Sequence, residues 1–216
     1  MLLRDEVRNS KHVLIADGVG NAGPEMVTAF TGRGARVAFL YREQYKDALE
    51  LARNTGALNI KCNIYSPESL TSAGDVIKEF FEGHVDTLIC NPGMNVEDLR
   101  DAKDWRAVPM LFQRCMEGFG FYIYQMLPMM KKSGSIIMIL PKKDEMEVAE
   151  RIALRTLQKG MEELIAAAAE ELQDRKIRIN GVRVSSPDQM GEAIANTVRF
   201  LASGDAAAIT GQIIDL

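Results

Sequence analysis

The chain has 216 residues, 47% of them hydrophobic, and a formal net charge of −4. That length and apolar content suit a single domain, residues 1–216, built on one sizeable core. The acidic balance argues against nucleic acid or an anionic membrane surface as the main partner. No apolar run is long enough for a membrane helix and Met1–Glu6 lacks a signal-peptide core, so a cytoplasmic location is expected.

Strand and helix signals alternate from the beginning. The apolar run His12-Val13-Leu14-Ile15-Ala16 leads into a glycine-rich turn and a helix from about Pro24 to Gly32. Arg36–Leu40 reads as a second strand, Tyr45–Thr55 as a helix and Leu58–Cys62 as a third strand. A helix over Pro67–Glu82 precedes Val85–Cys90, and a long helix from about Trp105 to Leu127 precedes Ser135–Leu140. Another long helix, Glu147–Asp174, leads to Ile177–Val182, and a last one, Asp188–Ala202, leads to Thr210–Ile214. Short apolar strands separated by helices imply right-handed βαβ units and a parallel sheet covered on both faces. The predicted fold is α/β, a Rossmann-type doubly wound parallel sheet of seven strands.

The turn after the first strand, Asp17-Gly18-Val19-Gly20-Asn21-Ala22-Gly23-Pro24, fits G-x-G-x-x-G on Gly18, Gly20 and Gly23. Glycines so placed let a backbone approach a pyrophosphate at a helix N-terminus. They serve equally to reverse the chain without binding anything. The three cysteines, Cys62, Cys90 and Cys115, lack metal-ligand spacing, and two of them lie in strand-like runs that favour buried free thiols. His12 and His84 are the only histidines and sit far apart in sequence. That separation predicts neither a histidine-centred triad nor a metal site.

Ile177-Arg178-Ile179-Asn180, Phe200-Leu201-Ala202-Ser203 and Ile209-Thr210-Gly211-Gln212 resemble the closing segments of the short-chain dehydrogenase/reductase family. The resemblance spans about residues 10–215. It implies a nicotinamide cofactor and general acid-base chemistry on a carbonyl, carried by Tyr, Lys, Ser and Asn. Aligned on that pattern, Leu154 stands where Tyr belongs, Gln158 where Lys belongs, Pro141 at the Ser and Cys115 at the Asn. Leucine and proline have no hydroxyl, and glutamine has no charge with which to lower a phenol pKa. Lys159 is one residue off, turned by about 100° on a helix. Tyr122 and Tyr124 could stand in as acids, but on a long helix they read first as packing residues.

The cofactor positions depart as well. The family's glycine turn falls on Ala16, Asp17, Asn21 and Gly23, so Asp17 sets a carboxylate where a pyrophosphate would lie. Tyr41 stands at the ribose-binding acid, followed by Arg42, and Asn63 at the adenine-contacting Asp; Asn91 and Gly93 match the family's fourth-strand turn. Val184-Ser185-Ser186-Pro187 runs almost directly into the last helix, leaving out the family's substrate lid.

The resemblance therefore implies a degenerate member with no catalytic, cofactor or metal residues of its own and no bound cofactor. It would serve as the structural or regulatory partner of an active paralogue in a hetero-oligomer. Such pairing is seen in heteromeric hydroxyacyl-CoA dehydrogenases of the family, as in the anaerobic toluene (benzylsuccinate) pathway, which the chain resembles. Alternatives left open are an NAD(P)-dependent oxidoreductase with displaced groups and a nucleotide-sensing regulator. An assembly surface is expected on the Trp105–Leu127 helix. Cys115, Phe119, Tyr122 and Met126 share one face, which should pack on the sheet, while Phe121 and Tyr124 lie opposite with Arg114 and Glu117.

Overall fold

The structure is a computed structural model and describes residues 11–91, 116, 118–120, 122–141, 148–185 and 190–216. Its strands are β1 (His12–Ala16), β2 (Arg36–Tyr41), β3 (Leu58–Lys61), β4 (Val85–Cys90), β5 (Met130–Pro141), β6 (Arg178–Val184) and β7 (Ile213–Asp215). They form one sheet in the order β3-β2-β1-β4-β5-β6-β7, every neighbouring pair parallel. After β3 the chain returns to the other side of β1, so the switch in winding falls between β1 and β4. This is the expected doubly wound sheet, with a crevice above the carboxyl ends of the strands.

Alternation along β1 shows why the strand is apolar throughout. Leu14 and Ala16 join the core on one face, with Leu70 and Ile77 of α3 (Pro67–Phe80). Val13 and Ile15 join the other, with Met26, Val27 and Phe30 of α1 (Gly23–Thr31). A strand buried on both sides has no polar face to show, so period-two patterning gives way to a continuous run. Helix α2 (Tyr45–Thr55) lies beside β3 and α1 and ends on Gly56 at φ +75°. Helix α4 is described at residues 116, 118–120 and 122–126 and packs with α3. Phe119, Tyr122 and Met126 are fully buried, as their shared face predicts. Helix α5 (Val148–Glu171) places Leu157, Met161 and Ile165 in the α3 and α4 layer. Helix α6 (Gly191–Ala202) lies beside α1.

Boundaries differ where polar residues continue a strand. β5 starts at Met130 rather than Ser135, because Met130 itself pairs with Val85 of β4 and the polar stretch before Ser135 is taken up by a register shift. β6 runs on to Val184, since Arg183 alternates outward and finds Glu162 and Asp215. β7 begins at Ile213, because Thr210–Gln212 forms a turn in which Gly211 has φ +71°. Helix α6 begins at Gly191, later than the expected Asp188, whereas α2 spans Tyr45–Thr55 as expected. Among the described residues no helix is long and apolar enough to cross a membrane.

Candidate functional site

The crevice above β1, β2 and β3 is a cleft of about 210 Å³ lined by Asp17, Tyr41, Arg42, Asn63 and Tyr65 among others. In this fold the adenosine half of a dinucleotide would enter there. The glycine turn beside it is closed on itself. Gly18 N–H donates to the Leu40 carbonyl at 2.9 Å and Gly23 N–H to the Gly20 carbonyl at 2.8 Å. Gly20 N–H donates to Asp17 Oδ1 at 3.1 Å. Asn91 Nδ2 ties the turn from beneath, donating to the carbonyls of Asp17 and Gly20. The amide hydrogens of all three glycines are thus satisfied internally, and an anion above them would find none of these three to accept.

Packing accounts for each glycine separately. A Cβ on Gly18 would lie 2.5 Å from Phe39 Cβ, and one on Gly23 2.6 Å from the Gly18 carbonyl carbon. A Cβ on Gly20 would run into the Asp17 carboxylate itself. Asp17 holds a left-handed backbone at φ +55°, and Asn21 does the same at φ +46°, conformations that Asp and Asn tolerate better than most residues. Burial pushes the Asp17 carboxyl above its ordinary pKa. The Gly20 amide, the Arg42 guanidinium and the Val19 amide act in the opposite direction.

The remaining cofactor positions are occupied by residues with structural work. Tyr41 is buried in the α1–α2 layer and tilts against Tyr45. Arg42 is half-exposed beside Glu43 and turns its charge toward Asp17. Asn63 builds a turn, its Oδ1 accepting Tyr65 N–H at 3.1 Å, while Ser66 caps α3 through Ser69 N–H. The Tyr65 ring lies against Gly118 of α4, so closely that a Cβ there would be 2.3 Å from it. Gly93 lies outside the described residues.

Of the positions aligned with the family's catalytic groups, Leu154 on α5 is 2% exposed. Pro141 is the last residue of β5, paired in register with Val184 of β6. Gln158, one helical turn on from Leu154, is partly buried. Lys159 points away, its side chain 76% exposed and ion-paired with Glu162. Cys115 lies outside the described residues. The Tyr122 hydroxyl is buried with no hydrogen-bond partner among the described residues, and burial first, then Cys90 and Cys62, push its pKa well up. Between β6 and α6 there are only residues 185–190, too few for a lid.

Residues 16–188 match the family model described as enoyl-(acyl carrier protein) reductase. The chain belongs to the short-chain dehydrogenase/reductase family. Solved structures share its fold. An enoyl-[acyl-carrier-protein] reductase (NADH) from Aquifex aeolicus VF5 is 22% identical with a TM-score of 0.79, covering 95% of this chain and 94% of that one. BdcA from E. coli is 23% identical with a TM-score of 0.75, covering 95% and 97%. BdcA in complex with NADPH is 22% identical with a TM-score of 0.76, covering 95% and 92%. No curated protein gives a significant sequence match.

Family membership explains the sequence phrases that carried the resemblance. Asn180 Nδ2 donates to the Ile209 carbonyl and its Oδ1 accepts Gln212 N–H, while Thr210 Oγ1 accepts Ile179 N–H. These residues stitch β6 to the start of β7, so they survive for the fold's sake. Of the expected interface pair, Tyr124 is 76% exposed on α4, and Phe121 lies outside the described residues. Sequence separation misled in one place. His12 and His84, 72 positions apart, are stacked with ring centroids 4.1 Å apart at the opposite edge of the sheet. No spacing rule could have found them, because β1 and β4 become neighbours only through the crossover.

Proposed function

We propose that this chain is a non-catalytic member of the family, a pseudo-dehydrogenase that supports or regulates an active paralogue in a hetero-oligomer. The closed glycine turn carries the reading. Its three glycine amides are spent on Leu40, Asp17 and Gly20, and a carboxylate occupies the place a dianion would need. Leu154, Pro141 and Gln158 add that the positions aligned with the family's acid, hydroxyl and cation carry none of these groups. Among the described residues there remain a seven-stranded sheet and its covering helices. Val148 and Ile152, one turn apart on α5, are large exposed apolar residues, as is Tyr124 on α4. Side chains of that kind suit a partner better than water when they gather on neighbouring elements. A hydroxyacyl-CoA dehydrogenase of aromatic degradation is one such assembly into which the chain would fit.

Co-expression with an intact paralogue carrying Y-x-x-x-K, followed by size-exclusion chromatography and assay, tests the proposal. A stable complex is expected, active only through the paralogue. Turnover by this chain alone would refute it. NADH and NADPH titrations of the isolated chain should show no saturable binding. Micromolar affinity for either would favour a second reading, a nucleotide-sensing regulator, which the persistent cleft and the NADPH complex of BdcA support.

A further inference from the structure

We propose that His12, His84 and Asp86 form a binding site for a divalent transition metal, zinc fitting best, at the amino edge of the sheet. This edge lies across the sheet from the glycine turn, roughly 16 Å away by the length of β1, and the proposal does not depend on the reading of the crevice. One ring nitrogen from each histidine and one carboxylate oxygen of Asp86 lie within 4.8 Å of one another. Two imidazoles and a carboxylate are a donor set for zinc, cobalt or nickel rather than for calcium or magnesium, which prefer all-oxygen shells.

The surroundings already orient these donors. His12 Nδ1 lies 3.0 Å from the His84 carbonyl. A carbonyl only accepts, so the hydrogen is on Nδ1 and the lone pair of the neutral ring is on Nε2. A metal-bound histidine is held in this way when its second nitrogen donates to a backbone oxygen. The ring is fixed further by stacking on Phe81 at 5.2 Å, and His12 is only 5% exposed. Asp86 Oδ2 accepts His12 N–H at 2.8 Å, which anchors the carboxylate, while Oδ1 faces the Lys131 ammonium at 3.9 Å. Glu82 is turned to Arg36 at 2.8 Å, so its charge is balanced outside the cluster.

Bonds of 2.0–2.2 Å to zinc would place tetrahedral donors about 3.3 Å apart. The donors must therefore close by up to about 1.5 Å. His84 and Asp86 are partly exposed and can rotate, and the exposed Lys131 amine would swing away as the cation takes its place. Three protein ligands leave the fourth position to water. The competing account is a stacked pair that fills space between β1 and β4.

The test is titration of the full chain, without an affinity tag, with Zn²⁺ by calorimetry and with Co²⁺ by visible absorption, near neutral pH. One ion per chain at micromolar affinity is expected, with d–d bands but no thiolate charge-transfer band, and with a raised Tm in saturating Zn²⁺. His84→Gln and Asp86→Asn should each weaken binding at least about tenfold while keeping the wild-type circular dichroism spectrum. Both positions are partly exposed, and Asn can still accept His12 N–H. Three results would each overturn the site: no saturable binding to the wild type, unchanged affinity in His84→Gln, or a thiolate band assigning the ion to cysteine.

Discussion

The two edges of the sheet dispose of their polar groups differently. At the carboxyl edge, where the family works, polar groups are consumed by the fold: glycine amides by Asp17, Leu40 and Gly20, and Asn63 by its own turn. The position opposite holds a buried leucine, Leu154. At the amino edge, where loops ordinarily just connect, His12, His84, Asp86 and Lys131 gather with only partial mutual satisfaction. Strand interiors fix the sheet, and each edge is free to change without disturbing them. On the proposed reading, the chemistry of one edge can be lost while the core is kept.

The comparison is broken most directly at Gly23. If the turn is closed for packing, Gly23→Ala drives a Cβ into the Gly18 backbone, which cannot retreat, and should cost about 3 kcal/mol. Gly20→Ala meets only the movable end of the Asp17 side chain and should cost about 1 kcal/mol, the worth of the displaced hydrogen bond. Urea midpoints at unchanged m-value measure both. Equal, negligible losses would mean that the glycines are there for a ligand and that the carboxyl edge is not spent.

How far the sequence discloses each edge follows from what stabilises it. Val13–Ala16 and Leu88–Cys90 are legible because burial on both faces demands apolar residues throughout. Asn180 and Thr210 are legible through resemblance, since their side chains are fixed by backbone partners that every member of the fold must satisfy. Leu154, Pro141 and Gln158 can be counted from those landmarks; in the structure Leu154 is buried, Gln158 is partly buried and Pro141 ends β5. The self-closure of the turn is not legible. G-x-G-x-x-G looks the same whether its amides face a phosphate or an aspartate, and only the left-handed Asp17 backbone decides between them. The His12–His84 stack is invisible for a different reason: it arises from strand order, and strand order carries no local signal.

Next in size is the assembly surface. Phe121→Glu with Tyr124→Lys should reduce the wild-type oligomer to smaller species in light scattering, with helix content unchanged. Tyr124 is exposed and the face that packs inward, Phe119, Tyr122 and Met126, is untouched. A monomeric wild type, or an unchanged mass in the variant, would remove α4 from the assembly.

A smaller effect is expected at Asp17. Its folded carboxyl pKa is raised, chiefly by burial. The unfolded chain thus releases this proton at lower pH than the folded chain. Stability falls as pH rises from the unfolded value through the folded one, and stays lower above it. Asp17→Asn removes that loss, suits the left-handed backbone and keeps an oxygen for Gly20 N–H. A gain in Tm of about 2–4 °C is expected at about pH 7, vanishing at acid pH where the aspartate is protonated in both states. A loss at neutral pH would show that the charge itself, through Arg42, holds the turn together.

The smallest effect is the most diagnostic. Leu154→Tyr, Gln158→Lys and Pro141→Ser together restore the family's acid, cation and hydroxyl at the counted positions, and no turnover is expected from them. General acid-base groups contribute roughly 10²–10⁴-fold, and only to a substrate already held in line. Positioning supplies as much or more. Here it would have to come from a cofactor on a turn whose glycine amides are committed, and from a lid for which only residues 185–190 are available. Leu154 is also buried, so a tyrosine there must first find room for its ring and a partner for its hydroxyl. Reduction of a generic ketone or acyl-CoA by the triple variant, followed as NADPH oxidation, would mean that the turn can open and that the carboxyl edge is dormant. Absence of turnover together with absence of NADPH binding would place the deficit in the cofactor turn, ahead of the missing acid. A variant that bound NADPH without turning over would instead assign the deficit to the missing lid.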